Sequence, residues 1–254
     1  MKNKRQNYKE LKYYGLHACL AIWQKRPEDI IRIYLDAKSV KTLSPILKWC
    51  SARKIAYHII ESDEMAKVSD SIHHEGVCML AREPRAISWP QLQSWIESKK
   101  IPICLLYLDG VQNPHNIGSI LRSSAHFGIP YVLGEEGKIP ALSPSACRIA
   151  KGGAETVRLV SLADPVSAID WLKKNGFFIV STSSHEGSPL YRHHFHPRSL
   201  IALGSESDGV GRFLKKRADG QIQIPGTGEV ESLNVSVAAS LLMSEYCRTH
   251  GAAQ

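Results

Sequence analysis

The chain has 254 residues, 43% hydrophobic and 22% charged, an ordinary globular composition with length for one large domain or two small ones. Lys and Arg outnumber Asp and Glu by 32 to 24, and the net charge of +8 suits a polyanionic partner, most simply nucleic acid. No apolar run is long enough to span a bilayer and no apolar stretch follows the basic residues 1–7, so the expectation is a cytoplasmic protein with neither signal peptide nor membrane partner. The six cysteines (Cys19, Cys50, Cys78, Cys104, Cys147, Cys247) are scattered and form no CxxC pair, which predicts reduced core thiols rather than a disulfide framework or a zinc site.

Helical and strand signals alternate from the start. Residues 14–25 read as a helix with Leu16, Leu20 and Trp23 on one face, 30–35 as a strand, 43–53 as a helix, and 55–60 and 76–81 as strands. This is a small α/β domain over residues 1–82. Two prolines, Pro84 and Pro90, break the pattern, and residues 83–100 are read as the linker and a first helix at 91–98. In 101–254 the alternation is stronger: strands at 103–108, 131–133, 177–182, 200–203 and 221–224, with helices at 117–127, near Ser145, at 164–175 and at 232–248. The unbroken apolar run at 103–108 marks a strand covered on both faces, and the order predicts a mostly parallel sheet with helices on both sides.

Ligands of such sheets bind beyond the carboxyl ends of the strands, and three strand ends carry polar residues there. In the first, Asn116 is a plausible helix N-cap, Gly118 permits close backbone approach, and Arg122 shares a face with Ser119. The arginine fork can clamp a phosphate or carboxylate, or simply be solvated. In the second, the strand delivers Gly204, which allows close approach to a ligand, and then Glu206, which could hold a hydroxyl, an amine or Arg122; a strand end followed by a capping Asp208 and a surface helix is the plainer reading. In the third, a β-branched run ends at Ile224-Pro225, and a helix is expected to open on Ser232 with Asn234 beside it. Such a junction can hold a polar cofactor with backbone atoms, or be an ordinary capped helix. Neither a G-x-G-x-x-G fingerprint nor a phosphate-binding Gly-Lys-Ser/Thr loop is present, which argues against a dinucleotide-dependent oxidoreductase or a nucleotide triphosphatase. His73-His74 and His193-His194-Phe195-His196 lack completing ligands and read as polar loop histidines, with no metal expected. Lys2, Lys4, Arg5, Lys9 and Lys12 form a basic tail, either a solvated arm or an RNA contact.

Taken in order, Asn116-x-Gly118-x-x-x-Arg122, Gly204-x-Glu206-x-x-Gly209, and Ile224-Pro225 with Ser232-Leu233-Asn234-Val235-Ser236 resemble the three motifs of the SpoU/TrmH RNA ribose 2′-O-methyltransferases. Residues 1–82 resemble the small α/β RNA-binding domain that many members carry. The resemblance implies a doubly wound catalytic domain closed by a deep C-terminal trefoil knot, a homodimer, S-adenosylmethionine as cofactor, and structured RNA (ribosomal or transfer) as partner. It assigns cofactor binding to Leu203, Gly204, Ile224 and Leu233, and catalysis to Asn116, Arg122, Glu206, Ser232 and Asn234. Because a guanidinium stays charged in proteins, Arg122 is expected to grip the target phosphate and stabilise developing alkoxide charge, with Glu206 orienting it. The stretch 148–157 follows the family's Gly-Ala-Glu segment, carries Lys151-Gly152 where many members differ, and is expected to touch RNA. The alternative is an RNA-binding protein of the same fold without methyl transfer.

Overall fold

The computed structural model describes residues 9–205 and 207–251. In chain order the elements begin β1 (Glu10–Tyr14), α1 (Leu16–Lys25), β2 (Ile30–Leu35), α2 (Ser44–Arg53), β3 (Ala56–Ile59), α3 (Ser62–Ser69), β4 (Val77–Arg82) and α4 (Trp89–Ser98). They continue with β5 (Ile103–Asp109), α5 (Pro114–His126), β6 (Tyr131–Glu135), α6 (Pro144–Ala150), β7 (Arg158–Leu162), α7 (Pro165–Lys174) and β8 (Phe178–Thr182). The last are β9 (Ser188–Pro189), β10 (Arg198–Gly204), α8 (Arg212–Arg217), β11 (Gly220–Gln223) and α9 (Val235–His250). Proline in the first turn opens α2, α4, α5, α6 and α7, where its fixed φ suits the helix and its missing N–H costs nothing. The chain divides into two compact units: residues 1–85 with 142–155, and residues 86–141 with 156–254.

The first unit holds a four-stranded sheet in the order β1-β4-β2-β3, antiparallel except for the β2–β3 pair. Three of its elements differ from the sequence reading. Residues 10–14 are a strand, and the helix expected from residue 14 starts after Gly15. At φ +91° that glycine turns the chain and sends its N–H to the carbonyls of His74 and Val77. The short helix α3 was also not anticipated.

Helix α6, expected near Ser145 within the larger domain, packs instead on β1 and α1 of the first unit, burying Ala146, Cys147 and Ala150. A buried ion pair fastens this segment. The Arg26 Nε donates to Glu155 Oε2 at 2.7 Å and its Nη2 to Oε1 at 2.9 Å, while Nη1 reaches the Arg82 carbonyl. The Tyr13 ring lies 5.2 Å from the same guanidinium, and burial pushes the Tyr13 hydroxyl pKa well above its usual range. Gly153, Ala154 and Glu155 are buried, while Lys151 is exposed.

The second unit is a seven-stranded sheet in the order β7-β6-β5-β10-β8-β11-β9, with every pairing parallel. Alternation sends Leu105, Tyr107, Leu200 and Ala202 to one face, where they pack with Leu92 and Ile96 of α4, Ile169 and Leu172 of α7, and Leu214 of α8. The opposite face, with Leu106, Leu108, Ile201 and Leu203 buried, is covered by α5 and α9.

The Arg26 and Glu155 side chains are 7% and 5% exposed, so neither charge has water to fall back on. Arg26→Met is expected to cost about 3–5 kcal/mol in urea unfolding of the full chain, because it leaves a buried carboxylate alone. Replacing both residues by Met should recover most of that loss.

Candidate active site

All strands of the second sheet point the same way, so the loops after β5, β10 and β11 leave one common edge. The central pair, β5 and β10, runs in register to Asp109 opposite Gly204. Each of the three polar sequence junctions therefore begins at the carboxyl edge where parallel sheets hold ligands.

Two junctions meet directly. The Asn234 Nδ2 donates to Asn116 Oδ1 at 2.9 Å, joining residues far apart in the sequence. Asn116 is buried, and its Oδ1 accepts this bond away from bulk water. Further along the same seam, Ser123 bonds Ser240 at 2.8 Å, the Ser124 hydroxyl reaches the Met243 sulfur at 3.5 Å, and the Cys247 thiol reaches the Phe127 carbonyl at 3.3 Å. Contacts that advance together along both helices mean that α5 and α9 run parallel with their N-termini side by side. Two sets of unpaired N–H groups, and two positive dipole ends, thus converge at the sheet edge.

The caps differ from the sequence reading. Asn113, not Asn116, is the N-cap of α5 and accepts from the His115 N–H, because Pro114 starts the helix one turn earlier than expected. This frees Asn116 for the contact with Asn234. Likewise the last helix opens after Asn234, whose Oδ1 accepts from the Ser236 N–H at 2.9 Å and from the Ser236 hydroxyl at 2.6 Å. Ser232 precedes the helix and is exposed.

The loop after β10 is shaped by backbone crowding. A Cβ on Gly204 would lie 1.9 Å from the Gly209 carbonyl carbon and 2.2 Å from the Val210 nitrogen. The close approach that requires glycine here is thus made by the loop's own backbone. Asp109 Oδ2 accepts from the Gly211 N–H at 2.7 Å, and Ser205 Oγ accepts from the Asp208 N–H at 3.1 Å. Asp109 is a site residue that sequence reasoning passed over; its position at a strand's carboxyl end was the available signal. Asp208 closes a turn rather than capping a helix, since α8 starts at Arg212 after Gly211.

Glu206 lies outside the described residues. Arg122 is exposed and makes no hydrogen bond or ion pair among the described residues. At about 100° per residue it sits roughly 120° around α5 from Asn116, away from the α9 seam. Leu203 is buried, Ile224 half-buried, and Leu233 44% exposed. The histidine clusters are structural in part: His74 is buried and its Nδ1 accepts from the Gly76 N–H, and His193 packs against Phe195, burial lowering its pKa. Of the basic tail, Lys2, Lys4 and Arg5 lie outside the described residues, and Lys12 lies on β1.

An all-parallel sheet with three loops gathered at its carboxyl edge defines a doubly wound α/β protein built to hold a ligand there. The family described as SpoU rRNA methylase matches residues 104–244, and that described as RNA 2′-O ribose methyltransferase substrate binding matches residues 13–86. The chain belongs to the SpoU rRNA methylase family. It is 34% identical to an uncharacterized tRNA/rRNA methyltransferase, YfiF, of Escherichia coli O157:H7 over 249 residues, 98% of this chain and 71% of the relative. It is 30% identical to the 23S rRNA (guanosine-2′-O-)-methyltransferase RlmB of Coxiella burnetii over 236 residues, 92% and 94% of the two chains. The fold matches that of the SpoU methyltransferase AviRb from Streptomyces viridochromogenes, solved in complex with AdoMet, with a TM-score of 0.76 over 98% of this chain and 93% of that one at 19% identity.

Two substitutions test this geometry. Gly204→Ala forces the 205–211 loop off its strand and is expected to destabilise by about 1–3 kcal/mol, with faster hydrogen exchange in the loop. Asn234→Ala removes both a helix cap and the partner of a buried amide, with a similar expected loss of about 1–3 kcal/mol by thermal unfolding.

Proposed function

We propose that this chain transfers a methyl group from S-adenosylmethionine to the ribose 2′-hydroxyl of a specific nucleotide in structured RNA, ribosomal or transfer. The Asn116–Asn234 hydrogen bond carries the reading, since it joins the first and third motifs at the sheet edge where a ligand would lie. Family membership and the names of the relatives point the same way.

The residues fit the cofactor. Residues 224–234 lie outside helix and strand, which leaves backbone N–H and C=O groups for a polar ligand. Leu233 and Ile224 offer apolar surface to an adenine, and Gly204 and the buried Leu203 contribute backbone atoms only. When bound, S-adenosylmethionine supplies an activated sulfonium methyl. Asn116, oriented by Asn234, and Ser232 hold the ribose hydroxyl in line for displacement, which requires reacting atoms about 3–3.5 Å apart. Arg122 grips the target phosphate and stabilises the charge that develops on the 2′-oxygen as its proton passes to solvent water, the thioether of S-adenosylhomocysteine being the leaving group. Glu206 orients Arg122.

The finer organisation is part of the proposal. Residues 1–82 form the RNA-binding domain, 83–100 the linker and first helix, and 101–254 the methyltransferase domain, of which 142–155 packs into the first compact unit. A knotted C-terminus is supported by topology: β11 lies beyond β8, yet α9 returns to pack on α5. A homodimer is supported by the exposed Val237 on α9, apolar surface that a second copy would cover. The protein acts in the cytoplasm, where such RNA is found.

The test is calorimetry with S-adenosylmethionine, followed by mapping of 2′-O-methyl sites in total RNA with and without the protein. Binding and one lost site on deletion are expected; RNA binding without cofactor binding would instead establish a non-catalytic RNA-binding protein. Arg122→Lys keeps the charge but loses the fork, and is expected to lower kcat by about 100-fold with cofactor affinity unchanged. Near-normal turnover in that variant would remove Arg122 from the mechanism.

A further inference from the structure

The sheet of the first unit has one face that its helices leave half bare. On that face the register aligns Lys12 with Leu80, Leu80 with Arg32 and Arg32 with Ala56, and in the next row Tyr14 with Cys78, Cys78 with Tyr34 and Tyr34 with His58. Helix α3 covers only part of the second row, where Met65 and Val68 pack with Tyr14, Cys78 and Tyr34. The first row stays open: Lys12, Arg32 and Ala56 are exposed and Leu80 is half-buried. At its border the Tyr34 and His58 rings stack 5.3 Å apart at 20°, and Arg32 Nη1 donates to the Tyr34 hydroxyl at 3.3 Å. Tyr34 is half-buried beneath, and His58, on the edge strand β3, is exposed, so the stack ends on a free ring surface.

The chemistry of this surface is specific. Two cations stand two strands apart, about 10 Å by strand spacing, with an apolar residue between them and an anchored ring pair one row away. Cations at such a separation suit a phosphate backbone rather than a single anion. Rings with a free face suit unstacked bases, which double-stranded RNA does not present. The chain's net charge of +8 favours the same partner.

We propose that this open sheet face binds an unpaired segment of the RNA substrate, with one base stacked on His58 over Tyr34 and the flanking phosphates held by Lys12 and Arg32. This rests on the RNA methyl-transfer reading above and adds to it the surface and the strand state that are recognised.

The experiment uses the full chain and fluorescence anisotropy with a short labelled oligouridine and an adenosine–uridine duplex of equal length, across a salt series. The wild type is expected to bind the single strand more tightly than the duplex. His58→Ala should weaken single-strand binding by about tenfold and His58→Phe should retain it. Lys12→Gln and Arg32→Gln should each reduce the slope of log affinity against log salt by about 0.7. Preference for the duplex, or single-strand affinity unchanged in His58→Ala, or an unchanged slope in both Gln variants, would overturn the proposal. Calorimetry with S-adenosylmethionine on the same proteins keeps the two readings apart. Cofactor binding with an indifferent His58→Ala ends the face alone, whereas single-strand binding through His58 without cofactor binding ends the methyl-transfer reading alone.

Discussion

The parallel pairing of β5 with β10, in register from Ile103 opposite Arg198 to Asp109 opposite Gly204, is the constraint on which the second unit depends. Both strands are apolar and buried on both faces, so a slip by one residue would exchange the side chains facing α4, α7 and α8 with those facing α5 and α9. The register also ends both strands at the same level. That is why Asp109 can hold the Gly211 N–H, and why the chain after Gly204 turns back so tightly that no side chain fits on it. The two loops are shaped by each other before any ligand is considered.

The second tie is the seam between α5 and α9. It joins a helix from the middle of the chain to the last one, and polar contacts between Ser123 and Ser240, and between Cys247 and Phe127, repeat along it. Hydrogen-bonded pairs of this kind fix the axial position of one helix against another more firmly than interchangeable apolar contacts do. The Asn116–Asn234 contact is the first of the series, so the whole seam acts to place the two asparagines.

Much of this was legible in the sequence, for physical reasons that differ by element. The strands β5 and β10 announce themselves by the apolar runs 103–108 and 200–203, and the motif asparagines by their place at strand ends. The strands β1, β7 and β9 are too short or too mixed to show a period, and α3 has barely two turns. The cap of α5 was misplaced by one turn because Asn113-Pro114 and Asn116 are both plausible starts, and only packing against α9 decides between them. Contacts such as Asp109 with Gly211, or Arg26 with Glu155, join residues 102 and 129 positions apart and leave no local pattern to read.

The Arg26–Glu155 pair has a bearing on how the chain is made. An N-terminal unit ordinarily completes its fold while the remainder is still being synthesised. Here Arg26 sits out of water, and although its Nη1 meets Asp29 at 3.5 Å, its close two-pronged partner is a carboxylate delivered from residue 155, together with the apolar face of α6. Until the ribosome has released that stretch, the first unit holds a cation with only the longer Asp29 contact and a strand, β1, with an uncovered flank. Its maturation is therefore timed by the growth of the second unit's sheet, whose β5 and β6 are already translated by then.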